Sequence, residues 1–174
     1  MATRERAIIL ARKVLQECPL TRGAVPIEKI VEKYGIQINY LDLSEEISGA
    51  MKREGKSGKP VIIVNSKHLD ERKRFTIAHE LGHFLLHSLT PNHIDKQGVY
   101  FRDGDSSTGE NIMEIQANQF AAELLMPINA LKKDFFENSK LIKGDDPTEL
   151  IEKLAEKYKV SKQAMAIRIS KFIY

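Results

Sequence analysis

Tryptophan is absent from this 174-residue chain, and cysteine occurs once, at position 18. A single thiol makes no internal disulfide, so packing and polar contacts must hold the fold, and a reducing compartment fits. Cys18 stands near the end of an early amphipathic segment and reads as a small buried apolar group. Long hydrophobic runs are missing as well. The early stretch Ala7 to Ala11 stops at Arg12, too short for the apolar core of an export signal. Nothing approaches the length of a membrane span, and a cytoplasmic protein is expected. Neither sign of charge dominates: 27 Lys and Arg against 24 Asp and Glu leave a formal net charge of +3. That balance alone is too weak to argue for nucleic acid. The cluster Arg72, Lys73 and Arg74 is read as a solvated helix face. With 42% apolar and 29% charged residues, the chain can bury the core of one compact domain.

Hydrophobic periodicity orders the elements. Ala7, Ala11, Val14, Leu15 and Cys18 recur at helical spacing and predict a helix over 3–17. Pro26 opens a second, short helix that Gly35 stops. Ile36, Ile38 and Tyr40 alternate with polar neighbours and predict a strand. Two more strands are expected over 47–53 and 61–64, joined by a turn-rich link at 54–59 suited to a hairpin. The run Val61-Ile62-Ile63-Val64 has no polar face and should be interior. Ser66 is a candidate cap for the next helix, which runs to about His87. Residues 88–109, with Pro91, three glycines and adjacent Ser/Thr, predict a long loop of the functional kind. Helices follow over 110–125, 128–138, 147–158 and 161–172.

The strongest motif is His79-Glu80-Leu81-Gly82-His83, an HExxH pattern inside a predicted helix. Residues four apart lie on one helix face, so two imidazoles can converge on one metal at about 2.0–2.1 Å per bond. Glu80 sits about 100° round from His79, better placed to polarise a metal-bound water than to ligate. Phe75, Ile77 and Ala78 before the motif and Phe84, Leu85 and Leu86 after it imply a buried helix, where unpartnered histidines and a glutamate would be costly. His87 extends the stripe. It lies eight residues from His79, about 12 Å along the axis, too far to share the metal, so a structural or supporting role is expected.

A third protein ligand is needed, with one position left for water. The extended pattern HExxHxxGxxH is excluded, because Leu86 and Leu89 stand where Gly and His are required. A glutamate from a later helix is the other common arrangement, and Glu110, Glu114 and Glu123 are candidates. Glu114 is favoured. Asn118, one turn on, could orient a ligand histidine, and Ala117 and Ala121 let two helices pack closely. Glu110 falls at a frayed helix start and Glu123 on another face.

The segments Arg74-Phe75-Thr76-Ile77-Ala78-His79-Glu80-Leu81-Gly82-His83 and Glu114-Ile115-Gln116-Ala117-Asn118-Gln119-Phe120-Ala121-Ala122-Glu123-Leu124-Leu125-Met126-Pro127 resemble the ImmA/IrrE family of metallo-endopeptidases. The hairpin, the stretch 100–103 and the C-terminal helices fit less specifically. The resemblance implies a gluzincin-like fold, places the metal glutamate on Glu114, and implies cleavage of helix-turn-helix repressors in mobile elements or stress responses. It also implies a form without the extra C-terminal sensor domain of some relatives, since the chain ends at Tyr174.

The C-terminal segment, Leu154 to Ser161 followed by Lys162 to Ile169, resembles a helix-turn-helix in which Lys162, Gln163 and Arg168 are the residues that would reach DNA. The favoured alternative is a helical hairpin packed on the core, without direct DNA contact. The expected fold is α+β: a zincin-like metallopeptidase core over 1–137 with a small, mostly antiparallel sheet, and a helix-turn-helix-like unit over 138–174 packed on it. The expected function is a zinc-dependent endopeptidase acting on a regulatory protein, with His79, His83 and Glu114 on Zn2+ and Glu80 as catalytic base. Tyr100, Arg102 and His93 are candidate oxyanion donors, and strand 47–53 is the candidate edge on which substrate would align. Two alternatives stay open: a DNA-binding regulator with a structural zinc, and a catalytically silent binding protein that senses metal or partner.

Overall fold

The computed structural model describes residues 2–18, 23–54, 58–87, 93–96, 109–139 and 147–173. Within them the order is α1 (Ala2–Gln16), α2 (Ile27–Lys33), β1 (Gln37–Leu41), β2 (Ile47–Glu54), β3 (Lys59–Asn65), α3 (Asp70–His87), β4 (His93–Lys96), α4 (Gly109–Leu125), α5 (Ile128–Ser139), α6 (Pro147–Tyr158) and α7 (Lys162–Ile173). Gly35, at φ 68°, ends the α2 segment in the left-handed region that a side chain would strain, and β1 starts two residues later.

The sheet order is β1-β3-β2-β4. β1 runs parallel to β3, while β2 is antiparallel to both β3 and β4, so the sheet is mostly antiparallel. Glu54 stands opposite Lys59, which closes β2 and β3 into the expected hairpin. Val61, Ile62 and Val64 are buried because β3 has a strand on either side and α3 packed against it.

Two expectations change here. Residues 93–96, expected within a long loop, form β4 on β2. Four residues with one apolar side chain carry too little pattern to show as a strand, and the partner that orders them is remote in sequence. In consequence β2 is paired on both sides over residues 49–51, so the middle of strand 47–53 is not a free edge; among the described strands β1 and β4 are the outer ones. Second, α3 begins at Asp70 and is not capped by Ser66. The Ser66 amide donates to the Leu41 carbonyl at 2.8 Å, which prolongs the β1–β3 ladder. Buried Asn65 then turns the chain: its amide donates to the carbonyls of Ser44 (2.9 Å) and Ile47 (2.8 Å), and its oxygen accepts from the Lys67 amide.

α3 lies between the sheet and α4, and α1 packs on α4. Gly49 permits the close approach of β2 to α3. A Cβ there would stand 2.5 Å from Thr76 Cγ2 and 2.6 Å from the Ile63 carbonyl oxygen. The arginines at the start of α3 do not form a solvated face. Arg72 donates to buried Ser48 Oγ at 2.7 Å, where the β2–β4 register shifts, and Arg74 donates to the Val25 carbonyl (2.7 Å) and the Lys159 carbonyl (3.3 Å). Both tether α3 to segments far away in sequence. Cys18 is buried just past α1, with Lys33 Nζ 3.5 Å from its sulfur.

The C-terminal helices are part of the same packing. The chain leaves α6 through Lys159 at φ 52°, Val160 N donates back to Ala155 O, and Ser161 Oγ accepts from the Ala164 amide at the start of α7. Met165 and Ile169 join the core. Tyr158, buried, donates to Asp134 of α5 at 2.8 Å; burial and then that carboxylate push its hydroxyl up from its ordinary value. Arg168, among the candidates for DNA contact, is 4% exposed and turned inward, where it bonds Glu123 Oε2 and donates to the Met126 carbonyl at 3.0 Å. Its apolar neighbours on α7 direct that face to the core, and Glu123 neutralises it there. Among the described residues, no helix is long and apolar enough to cross a membrane.

Candidate metal centre

His79 and His83 are one turn apart on the buried face of α3, and Glu114 reaches them from the second turn of α4. His79 Nε2 and His83 Nε2 are 3.0 Å apart. Glu114 Oε2 lies 3.3 Å from His79 Nε2, and Oε1 lies 3.0 Å from His83 Nε2. Ligands about 2.0–2.1 Å from a tetrahedral ion stand about 3.3 Å from one another, so these separations match the edges of such a site. Among the described residues, His79, His83 and Glu114 are the group whose ligand atoms gather in this way, all within 4.8 Å.

The tautomer fits as well. Asn118 Oδ1 is 3.0 Å from His79 Nδ1. With the amide oxygen facing the ring, the contact requires a proton on Nδ1, which leaves the Nε2 lone pair directed at the cluster. Two neutral imidazoles and a carboxylate suit a borderline divalent ion such as zinc. Glu80 is buried beside His79 on the same helix, and Glu114 keeps 37% of its side chain exposed, so the cluster has an open side next to Glu114.

Helices must cross closely for a short carboxylate to reach both rings, and Gly82 makes this possible. A Cβ on Gly82 would meet Phe120 Cδ1 at 3.0 Å, Ala117 Cα at 3.2 Å and Ala117 O at 3.3 Å. Sequence reasoning assigns the close approach to Ala117 and Ala121 and overlooks Gly82, although an isolated glycine inside a helical pattern is a signal for it.

The other candidates fall elsewhere. Glu123 is nine residues after Glu114, about half a revolution round α4. It is buried against Arg168, and its Oε1 accepts from Arg12 Nε at 2.8 Å. The side chains of Glu110 and His93 lie outside the described set, as do Tyr100 and Arg102 entirely. His87 Nε2 stands 3.3 Å from the Met113 carbonyl oxygen, and its ring centroid is 5.5 Å from that of His83.

An HExxH helix crossing a second helix that supplies a glutamate, beside a small mixed sheet, defines an α+β protein with a zincin-like core and a candidate metal centre. The chain belongs to the peptidase M78 family, described as the IrrE N-terminal-like domain, which matches residues 31–170. The family resemblance read from the two helical segments is therefore borne out. A curated relative from Bacillus phage phi105, described as an uncharacterized immunity region protein 2, is 28% identical over 121 residues, covering 63% of this chain and 71% of its own. A solved structure described as a Mycobacterium tuberculosis transcriptional regulator superposes with a TM-score of 0.62 at 19% identity. That likeness covers 95% of this chain and 47% of the other, so this chain spans about half of that protein, and at such identity the likeness speaks for the fold alone.

Proposed function

We propose that this chain is a zinc-dependent endopeptidase that cleaves a regulatory protein, a helix-turn-helix repressor. The convergence of His79 Nε2, His83 Nε2 and Glu114 at 3.0–3.3 Å, with Glu80 adjoining on α3, is the observation that carries the reading. His79, His83 and Glu114 would hold the ion, which when bound supplies Lewis acidity for attack on a peptide carbonyl. Glu80 takes a proton from the attacking water as oxygen bonds to the carbonyl carbon. It then gives that proton to the leaving nitrogen as the C–N bond breaks. Asn118 holds the His79 ring in its ligating tautomer.

A base beside an open position has no use in a purely structural zinc site, which favours catalysis over the structural alternative. The commitment of Arg168 to Glu123 and Met126 supports residues 138–174 as a helical unit packed on the 1–137 core, with no direct role in reading DNA. The immunity-region description of the phage relative and the regulator description of the structural neighbour motivate a repressor as substrate. An extended substrate segment adding to the sheet would use β1 or β4, the outer strands.

The test is co-expression with a helix-turn-helix repressor, any encoded beside this gene being the first to try, with fragments mapped by mass spectrometry, next to Glu80→Gln. A single cut in the repressor is expected, and Glu80→Gln is expected to bind zinc but cleave about 10²–10⁴-fold more slowly. Cleavage by Glu80→Gln at the wild-type rate, or broad digestion of unrelated chains with the repressor left whole, refutes the proposal.

A further inference from the structure

We infer that His87 is a positioning residue of the metal site: it donates a hydrogen bond from Nε2 to the main-chain carbonyl of Met113 and so fixes where α4 presents Glu114. The two atoms are 3.3 Å apart. A carbonyl oxygen can only accept, so His87 Nε2 carries the proton in this contact. Met113 directly precedes Glu114, and its carbonyl belongs to the planar peptide unit that ends on the Glu114 Cα. Holding that oxygen therefore holds the origin of the ligand side chain.

The position needs such support. Glu114 is the sixth residue of α4, close to the end where a helix has unsatisfied amides and frays. On the C-terminal side of Glu114, α3 and α4 are locked by the Gly82–Ala117 approach and by Asn118 on His79. On its N-terminal side, among the described residues, His87 supplies a clasp. The turn that carries His87 is itself anchored, since Arg6 of α1 donates to the Leu86 carbonyl at 3.2 Å. The His87 ring lies beside His83, 5.5 Å between centroids, but the group of ligand atoms within 4.8 Å comprises His79, His83 and Glu114. His87 thus acts on the ion through the backbone of α4 and not as a ligand.

The inference rests on the reading of the three-residue cluster as a metal site, and the experiment separates the two. Zinc is titrated into the metal-free full chain against a chromophoric chelator, for the wild type and for His83→Ala, His87→Ala and His87→Gln, and the metal-free forms are compared by thermal unfolding. Loss of binding in His83→Ala marks the site as the one measured. His87→Ala is expected to bind zinc about tenfold more weakly, the lower end for losses in the shell around a ligand. His87→Gln has an amide nitrogen that reaches as far as imidazole Nε2 and donates, yet is a poor zinc ligand, so it is expected to stay near the wild-type affinity. The metal-free Ala and Gln variants are expected to melt together, which separates positioning from general stability. His87→Ala with wild-type affinity overturns the role of His87 and leaves the metal site standing. His87→Gln as weak as His87→Ala overturns the hydrogen bond as its cause. Zinc binding that survives His83→Ala overturns the site and the inference together.

Discussion

Replacing Gly82 by alanine adds one methyl group at the crossing of α3 and α4. The new carbon would stand 3.0 Å from Phe120 Cδ1, 3.2 Å from Ala117 Cα and 3.3 Å from Ala117 O. Carbon atoms pack best at about 3.5–4.0 Å, so the crossing must open by at least about 0.3 Å. Two of the three neighbours are main-chain atoms of α4, and the Phe120 ring is fully buried, so a side-chain rotation cannot absorb the change. The helix has to move, and Glu114, three residues before Ala117, moves with it. Metal–ligand distances tolerate only about 0.2 Å. Overpacking costs about 1–3 kcal/mol, partly offset by about 1 kcal/mol of helix propensity gained from Gly to Ala. The metal-free protein should therefore lose about 0–2 kcal/mol. Strain of about 1.4 kcal/mol appearing on metal binding corresponds to a tenfold weaker affinity. Chelator competition measures the second quantity and thermal unfolding of the metal-free form the first. A Gly82→Ala protein that binds zinc as the wild type does and melts higher would refute the reasoning, because that is how an uncrowded helix glycine behaves.

Asn118→Ala removes the partner of His79 Nδ1 and should weaken zinc binding by about 10–100-fold in the same competition assay; an unchanged affinity would show that the ring orients itself. Arg168→Met leaves buried Glu123, among the described residues, with the half-exposed Arg12 alone, and urea unfolding should show a loss near the low end of the roughly 3–5 kcal/mol typical of a broken buried pair. Adding Glu123→Leu should recover much of that loss, since replacing both partners by apolar groups is often neutral; a single variant as stable as the wild type would show that the pair holds nothing together.

What is readable in the residues alone is what short-range geometry determines. The i,i+4 spacing of His79 and His83 puts both rings on one face of any helix they form, wherever that helix lies. Asn118 shares a face with Glu114 for the same reason, and the isolated Gly35 ends α2 through its own backbone freedom. The order of helices and the β2–β3 hairpin follow from local periodicity and turn composition, and with them the α+β class. The rest depends on groups distant in sequence. β4 exists because β2 offers it an edge, and the start of α3 is delayed because the ladder with Leu41 and the bonds of Asn65 hold the preceding turn. Arg72, Arg74 and Arg168 are of a residue type usually left to solvent, yet each reaches a partner 24 to 85 residues away. Which of three glutamates meets the histidines is likewise decided by a crossing: Gly82 lets α4 approach with Glu114 facing in, while Arg12 and Arg168 hold Glu123 on the far side. Spacing along one helix supplies angles about its axis, but the distance between two helices is set by the volumes of the side chains where they touch, and only the packed structure contains that contact.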